Sequence, residues 1–235
     1  MHIITCASSK GGVGKSTTCV CLAGAFAKAG DAVHIIDLDS NGTVSRWLGD
    51  DSLRPRAITV SSPAPADLNQ HLKKLSAPNG PDMVFIDVAG AYEKTLAYAI
   101  ANAHLTLIPA SLSEADLFEA HKVARFAMDL ARKIGRAPVF RLLLTKVQPL
   151  QSTAQRYALK ELERLQMPML SSFLVHRAAY EEIGLTGLPP HYADSKRETV
   201  TKAVEELDRL VAEIKSIIQP DEVSTTPTTR KSNVA

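Results

Sequence analysis

The residues best suited to chemistry lie near the start of the chain, in the stretch Lys-Gly-Gly-Val-Gly-Lys-Ser-Thr from residue 10 to residue 17. Glycines in such a loop let successive backbone N–H groups approach a phosphate, because no Cβ stands in the way. Lys15 is expected to reach the β- and γ-phosphate oxygens of a nucleotide, and the hydroxyl of Ser16 is expected to bind Mg²⁺. The stretch therefore predicts a phosphate-binding loop formed by Lys10, Gly11, Gly12, Val13, Gly14, Lys15, Ser16 and Thr17.

Two regular elements would hold this loop in place. The apolar run at residues 2–7 predicts a buried strand, and residues 16–28 predict a helix that Gly30 ends. The positive end of the helix dipole then points at the bound phosphate. Ser9 stands where the strict pattern G-x-x-x-x-G-K-[ST] has its first glycine, so the alternative interpretation is a glycine-rich turn without a ligand.

A second lysine, Lys10, opens the loop five residues before Lys15. This arrangement resembles the deviant Walker A box of the ParA/MinD family, which are P-loop ATPases that partition DNA or position other cargo. The resemblance implies that Lys10 crosses a dimer interface to the partner's nucleotide and acts in catalysis together with Lys15. There it would neutralise charge on the transferred phosphoryl group, as an arginine finger does. The alternative is a solvated lysine on a loop.

A pair of aspartates follows the second predicted strand, at residues 32–36, in the sequence Asp37-Leu38-Asp39. The carboxyl end of a strand beside the phosphate loop is where open α/β sheets bind ligands. Asp39 is predicted to orient the attacking water as a catalytic residue, and Asp37 to support the metal or the loop. The family pattern is D-x-D-P-Q-G, and this chain has Ser40-Asn41 in place of Pro-Gln. Capping of a turn by aspartate is the alternative for both acids.

A third acid ends the hydrophobic strand predicted at residues 83–87, as in a Walker B motif. Asp87 is predicted to bind Mg²⁺ directly or through water. Gly90 follows three residues later, where a backbone N–H can approach a γ-phosphate, so it is predicted to belong to the ATP site. The alternative is a strand that simply ends in a turn.

The family resemblance implies two further ATP-binding residues. Lys146 follows the strand predicted at residues 139–145, where the family's adenine-side loop begins, although the asparagine expected there is absent. Val175 ends the last predicted strand, Met169–Val175, and the residues after it lie near the nucleotide in small ParA proteins.

Basic residues are concentrated locally although the whole chain is nearly neutral, with 27 Lys and Arg against 25 Asp and Glu, a net charge of +2. From His121 to Lys146 there are seven Lys and Arg and one acid, and such a run can hold nucleic-acid phosphate. A solvated helix face is an equally good interpretation. The residues predicted to bind DNA are Lys122, Arg125, Arg132, Lys133, Arg177, Lys196 and Arg197.

Strands and helices alternate throughout the chain, which predicts a doubly wound, mostly parallel α/β sheet with helices on both faces. We expect one domain over residues 1–218, closed by a long helix at Ala193–Ile218, and a disordered tail rich in Thr, Ser and Pro at residues 219–235. The other predicted elements are helices at 66–75, 92–101, 113–133 and 153–165 and strands at 57–60 and 105–109.

Several function classes are disfavoured by the sequence. The three cysteines all lie in the first 21 residues and are predicted to be buried thiols in a reducing cytoplasm. The seven histidines are scattered and form no metal-ligand pattern. No apolar run approaches the length of a membrane span. Because the loop begins at Lys10, we expect neither a signal peptide nor an N-terminal helix-turn-helix domain.

The prediction is thus an ATP- and Mg²⁺-dependent ATPase of ParA type, cytoplasmic and nucleoid-associated when ATP-bound. It would form an ATP-dependent homodimer, bind double-stranded DNA non-specifically, and respond to a ParB-like or other stimulating protein, with no membrane partner. Two alternatives stay open: a membrane-positioning ATPase of MinD type, and a metabolic enzyme of dethiobiotin synthetase type. A reductase like the nitrogenase iron protein is rejected, because no cysteine follows Cys21.

Overall fold

A computed structural model of the chain describes residues 1–49, 54–88, 93–137, 139–150 and 152–219. Its centre is a six-stranded sheet in the order β3-β2-β4-β1-β5-β6, and every neighbouring pair is parallel. The predicted doubly wound, parallel α/β fold is therefore confirmed. The strands are β1 (His2–Cys6), β2 (Val33–Asp37), β3 (Ile58–Ser61), β4 (Met83–Asp87), β5 (Leu105–Ala110) and β6 (Phe140–Leu144).

The central strand β1 pairs with β4 on one side and with β5 on the other. The side chains of β1 and of Ala7, the residue after it, alternate between two cores: Ile4 and Cys6 face one, and Ile3 and Ala7 face the other. Burial on both faces explains the continuous apolar run, which a parallel strand requires. Strand order reverses at β1, so the crevice at its carboxyl end is the place where such sheets bind ligands.

Helices cover both faces of the sheet. One core contains residues of α1 and α9, and the other contains residues of α3, α4, α5 and α6. The helices are α1 (Lys15–Lys28), α2 (Thr43–Trp47), α3 (Leu68–Leu75), α4 (Glu93–Asn102), α5 (Glu114–Lys133), α6 (Thr153–Arg164), α7 (Ala178–Glu181), α8 (Ile183–Thr186) and α9 (Glu198–Ile218). Short 3₁₀ turns lie at Pro65–Asp67 and Pro190–Tyr192.

The strand predicted at Met169–Val175 is wrong. The segment forms isolated parallel bridges at Met169 and Val175 instead of a continuous strand. Between these bridges, the backbone N–H groups of Ser171 and Ser172 donate to the carboxylate of Glu213 in α9, at 2.7 and 2.9 Å. An apolar pattern indicates burial, but a continuous strand also needs a regular backbone partner for its amides. Here the amides of Leu170 and Leu174 bond the backbone of β6, and those of Ser171 and Ser172 bond a side chain.

Two helix starts also differ from prediction. The last helix begins at Glu198 and not at Ala193, because the chain at Pro190–Tyr192 is a 3₁₀ turn and Arg197 takes an extended conformation. The helix predicted at 66–75 begins at Leu68, after a 3₁₀ turn that starts at Pro65. The tail predicted to be disordered lies outside the described residues from position 220 onward.

Candidate nucleotide-binding site

The loop from Lys10 to Gly14 joins the central strand β1 to helix α1. Gly12 and Gly14 have φ angles of 77° and 95°, in the left-handed region that glycine enters without cost, so the loop needs glycine at both positions. Gly14 is the N-cap of α1 and has no side chain to cap the helix. The first N–H groups of α1 are therefore left for an anion, as a phosphate site requires.

Side chains from two regions of the chain bond the carbonyl oxygens of this loop. Lys15 is buried in the first turn of α1, while Thr145 and Lys146 follow β6. Their bonds run from Lys15 Nζ to Lys10 O (2.8 Å), from Thr145 Oγ1 to Val13 O (2.8 Å) and from Lys146 Nζ to Gly12 O (2.6 Å). The loop is thus fixed partly by residues more than a hundred positions away in the chain, and these bonds bring the predicted Lys146 to the site.

Lys10 forms an ion pair with Asp116 in the first turn of α5. The other oxygen of Asp116 accepts from the hydroxyl of Ser111 at 2.6 Å, and its backbone N–H donates to the N-cap side chain of Ser113. Burial raises the pKa of Asp116, but the hydrogen bonds from Lys10 and Ser111 outweigh it and hold that pKa below its usual value. Asp116 is thus an ionised partner for Lys10.

Asp116 is a site residue that the sequence pattern does not reveal. The pattern places it only as an acid in the first turn of a helix, where it favours the dipole. Its neighbour Glu119 accepts from the hydroxyl of Ser9 at 2.6 Å and pairs with Lys122. The first turns of α5 therefore hold the start of the loop through two carboxylates. Their spacing along one helix face is a signal in the sequence, but it does not say what they contact.

The predicted magnesium ligands meet at the end of β4. The hydroxyl of Ser16 donates to Asp87 Oδ2 at 2.6 Å, and Asp87 Oδ1 is buried without a hydrogen-bond partner among the described residues. Burial raises the pKa of Asp87 to about 7, and nearby Asp37 adds to that rise against the bond from Ser16. A buried carboxylate with an unpaired oxygen fits a cation, which would stabilise its charged form.

No cluster of three or more His, Cys, Asp or Glu that could hold a metal occurs within the described ranges. Mg²⁺ is often held by one or two protein groups together with phosphate oxygens and water. Ser16 and Asp87 match that mode. Gly90, the residue predicted after Asp87 as a γ-phosphate sensor, lies outside the described residues.

Asp37 and Asp39 lie beside Asp87, since Asp37 and Asp87 are neighbours in the register of β2 and β4. Both oxygens of Asp37 accept hydrogen bonds, from the backbone of Asp39 and from the N–H and hydroxyl of Ser45. Asp39 accepts from the N–H of Asn41 at 2.9 Å and is half-buried. Asp37 therefore anchors the loop that carries Asp39, and the roles predicted for both in ATP binding and hydrolysis stay predictions.

A cleft of about 240 Å³ opens beside the loop. One wall is Gly14, Thr17 and Thr18 at the start of α1, and the other runs from Leu174 to Glu181. Lys146 and Val175 both line it, so the structure brings these two predicted residues to the same space. Trp47 also lines the cleft. The arrangement offers a phosphate end at the loop and a partly apolar end for a base.

A comparison with protein-family models matches residues 4–190 to the CobQ/CobB/MinD/ParA nucleotide binding domain. The chain belongs to this family. The match contains the loop, the three aspartates and all the residues that line the cleft. The resemblance predicted from Lys10 and Lys15 is confirmed, and an ATPase of ParA type, with a partition or positioning function, is the class that the family and its relatives support.

Among curated relatives, the chain is 27% identical to protein ParA of Rhizobium radiobacter over 211 residues, which are 87% of this chain and 92% of that protein. Among solved structures it is similar to apo McdA from Cyanothece, with a TM-score of 0.72, 18% identity and coverage of 89% and 99% of the two chains. It is also similar to a putative plasmid partition protein from Borrelia burgdorferi bound to AMPPNP, with a TM-score of 0.68, 17% identity and coverage of 90% and 98%.

The basic residues predicted to bind DNA fall on two separate surfaces of this ParA/MinD-family fold. Four of them lie on α5, which packs on one face of the sheet. The other three lie around α7 and the start of α9, whose core is on the opposite face. The α5 residues are Lys122, Arg125, Arg132 and Lys133, and the others are Arg177, Lys196 and Arg197.

Two of the three residues on the second surface already have carboxylate partners. Arg177 donates to Glu206 and its side chain is 20% exposed, while Arg197 makes two bonds of 2.6 Å to Glu182. These contacts argue against the predicted role of Arg177 in DNA binding, because its charge is neutralised and mostly covered. Lys196 is exposed.

Within the described ranges, no helix is long and apolar enough to cross a membrane.

Proposed function

We propose that this chain is an ATP-driven dimerisation switch of ParA type that binds double-stranded DNA non-specifically in its ATP-bound state. The observation that carries the proposal is the position of Lys10. It lies at the outer start of the phosphate loop, its side chain is 42% exposed, and it is held by Asp116 rather than by its own loop. A lysine so placed is suited to leave that ion pair and meet a second molecule.

Residues of the loop would hold ATP. The N–H groups at the start of α1 and the ammonium group of Lys15 would bind the phosphates, and the cleft between Thr18 and Val175 would take the base. Ser16 and Asp87 would hold Mg²⁺, which neutralises charge on the phosphates when bound. The relative bound to AMPPNP supports nucleotide binding in this fold.

Hydrolysis would use residues from both subunits. Lys10 of one subunit would stabilise the charge that develops on the phosphoryl group bound by the other, while Asp39 would orient the attacking water. Asp37 accepts from the backbone N–H of Asp39 at 3.1 Å, so it would keep the carboxylate of Asp39 near the phosphates. We propose slow turnover, accelerated by a ParB-like or other partner protein, that returns the dimer to monomers.

DNA would bind to α5. At 100° per residue, Lys122, Arg125, Arg132 and Lys133 lie within a stripe of about 100° on one side of this helix. Two of the four pair with acids on the same helix, which leaves a basic but not uniformly charged face. Contacts to phosphates from such a face are insensitive to sequence and sensitive to salt. The protein would thus be cytoplasmic and associated with the nucleoid when ATP-bound.

Fluorescence anisotropy with two unrelated DNA duplexes tests the proposal. Binding is measured with ATP and Mg²⁺, with ADP and Mg²⁺, and without nucleotide, across a range of salt. We expect binding to both duplexes with ATP and a steep loss as salt rises. Equal binding in all three nucleotide states would refute the switch, and no binding in any state would favour the MinD-type or the metabolic alternative.

Variants then distinguish the two basic surfaces from each other, and ATP binding from ATP hydrolysis. Arg125→Ala with Lys133→Ala should lower the salt slope by about 0.9 for each DNA phosphate that the variant no longer neutralises. Lys196→Ala changes the other surface, and it should leave the slope unchanged where DNA binds to α5 alone and lower it where that surface also contacts DNA. Lys15→Ala should lose ATP binding. Asp39→Ala should bind ATP and DNA but stay dimeric, which sedimentation velocity after ATP addition would show.

A further inference from the structure

The segment that forms one wall of the nucleotide cleft is held by carboxylates of α9. Glu206 and Glu213 lie seven residues apart, two helical turns, so they project from the same side of the helix. Glu213 accepts from the N–H groups of Ser171 and Ser172, and Glu206 accepts from the N–H of Val175 at 3.2 Å. The two carboxylates therefore accept backbone hydrogen bonds that the carbonyl groups of a further strand would otherwise accept.

Glu206 does more than satisfy one amide. Its side chain is 5% exposed, and it also accepts from Arg177 Nε at 2.8 Å and from the hydroxyl of Tyr180 at 2.8 Å. One buried carboxylate thus joins three residues, Val175, Arg177 and Tyr180, that all line the cleft. Burial raises the pKa of the Tyr180 phenol, so that group stays a neutral donor to Glu206.

We infer that Glu206 is a positioning residue for the base end of the nucleotide. The inference rests on the proposed function, because it assumes that the cleft takes the base of ATP. Buried charged hydrogen bonds fix geometry, and removal of one partner leaves the others unsatisfied. Without the carboxylate, the wall from Val175 to Tyr180 loses its shared anchor, while the phosphate loop keeps its own bonds from Lys15, Thr145 and Lys146.

The test compares ligands with and without a base. Binding of ATP and of inorganic triphosphate, which has no base or ribose, is measured by isothermal titration calorimetry for the full chain. We expect Glu206→Gln to weaken ATP binding about tenfold, or about 1.4 kcal/mol, and to leave triphosphate binding within about twofold of the wild type. A loss confined to ATP separates positioning of the base from a general loss of folded protein, because unfolding would weaken the binding of both ligands together.

Glu213→Gln is the matched control. It removes a carboxylate from the same side of α9 that bonds the same segment, but its partners Ser171 and Ser172 do not line the cleft. We expect it to bind both ligands as the wild type does. If Glu206→Gln does not fold, Tyr180→Phe removes one donor to Glu206. It should weaken ATP binding by less than about tenfold and leave triphosphate binding unchanged.

Each other result overturns the inference. ATP binding unchanged in Glu206→Gln, ATP and triphosphate weakened equally, or the same ATP loss in Glu213→Gln would show that Glu206 does not position the base. If the wild type binds triphosphate but gains nothing from the base in ATP, the inference also fails, although the phosphate loop stands. If the wild type binds neither ligand, the proposed function fails first.

Discussion

A buried histidine, His34, and its partly exposed neighbour His71 predict how the fold responds to acid. His34 in β2 is 7% exposed, and its ring nitrogens bond Thr59 Oγ1 at 2.7 Å and Ser61 Oγ at 2.8 Å. Ser61 also bonds His71 Nε2 at 2.8 Å. Burial, with a smaller contribution from the charge on His71, lowers the pKa of His34 from 6.5 to about 4.

The hydrogen bonds show why the neutral ring is favoured. Thr59 Oγ1 lies 3.3 Å from the carbonyl of Val33 and donates to it, so it must accept from Nδ1–H of His34. Nε2 of His34 then accepts from Ser61, whose oxygen can accept from His71. Protonation of Nε2 would place a donor against the hydroxyl proton of Ser61 and force this chain of bonds to reverse.

The magnitude follows from the two pKa values. Because the folded pKa is the lower one, the unfolded chain binds more protons between about pH 6.5 and pH 4, and the free energy of unfolding falls as pH decreases through this window. With the pKa at 6.5 unfolded and about 4 folded, linkage gives a loss of roughly 2 kcal/mol by about pH 5 relative to neutral pH. His71, whose pKa burial also lowers, adds in the same direction.

The assay is urea denaturation followed by circular dichroism at about pH 7.5 and about pH 5 for the wild type and His34→Gln. Glutamine offers both donors and an acceptor but does not titrate, so the variant should lose roughly 2 kcal/mol less than the wild type between these two values. His121→Gln, on a half-exposed position of α5, is the control and should behave as the wild type does. The same pH dependence in the wild type and His34→Gln would refute the reasoning.

Three further predictions concern the nucleotide site. Lys10→Ala should bind ATP normally but hydrolyse it about 10³-fold more slowly, by analogy with arginine fingers; wild-type turnover in a phosphate-release assay would contradict the trans role. Asp116→Asn breaks an ion pair that is half exposed on the lysine side and therefore worth about 0.5–1 kcal/mol in each subunit, so ATP-dependent dimers, which release two such pairs, should form about five- to thirtyfold more tightly in sedimentation experiments. No change, or weaker association, would argue against Lys10 being withheld by Asp116. Asp87→Asn should raise the free energy of unfolding by roughly 1–3 kcal/mol at about pH 8 with a chelator present, because it removes a buried charge, and should abolish Mg²⁺-dependent turnover; a destabilised variant would contradict the first part.

The parts of the site that the sequence predicts are those fixed by local chemistry. The phosphate loop can be predicted because its glycines, Lys15 and Ser16 are contiguous and each position has its own physical requirement. Asp37 and Asp87 can be predicted because each ends a hydrophobic strand, and parallel strands end at the same edge of the sheet. The fold follows from the same alternation of buried strands and amphipathic helices.

The parts that the sequence does not predict depend on pairs distant in the chain. Asp116 lies 106 residues from Lys10, and nothing in the pattern of α5 says which of its acids meets the loop. Lys146 takes a φ of 53°, a left-handed conformation that asparagine, the residue expected there, adopts more readily. Its ammonium group bonds the carbonyl of Gly12, a contact that asparagine is too short to copy in the same way.

The wrong strand at Met169–Val175 shows the same limit for secondary structure. Its apolar pattern correctly predicts burial of Leu170 and Leu174. Whether such a segment becomes a strand depends on what its amides can bond. Those of Leu170 and Leu174 bond the backbone of β6. Those of Ser171, Ser172 and Val175 bond Glu213 and Glu206 instead, on a helix that follows the segment in the chain. The carboxylates of an amphipathic helix are normally assigned to solvent, so the pattern gives no reason to place them here.

The groups predicted to bind the triphosphate already have partners within the protein, which makes nucleotide binding an exchange of bonds. Lys15 bonds the carbonyl of Lys10, and Ser16 bonds Asp87. A γ-phosphate that takes the ammonium group of Lys15 would therefore release the backbone of Lys10, the residue whose side chain pairs with Asp116. Since exchanged hydrogen bonds contribute little net free energy, the loop could change its bonding partners at small cost when the nucleotide binds. In the proposed mechanism, this exchange would link nucleotide occupancy to the release of Lys10 for a second subunit.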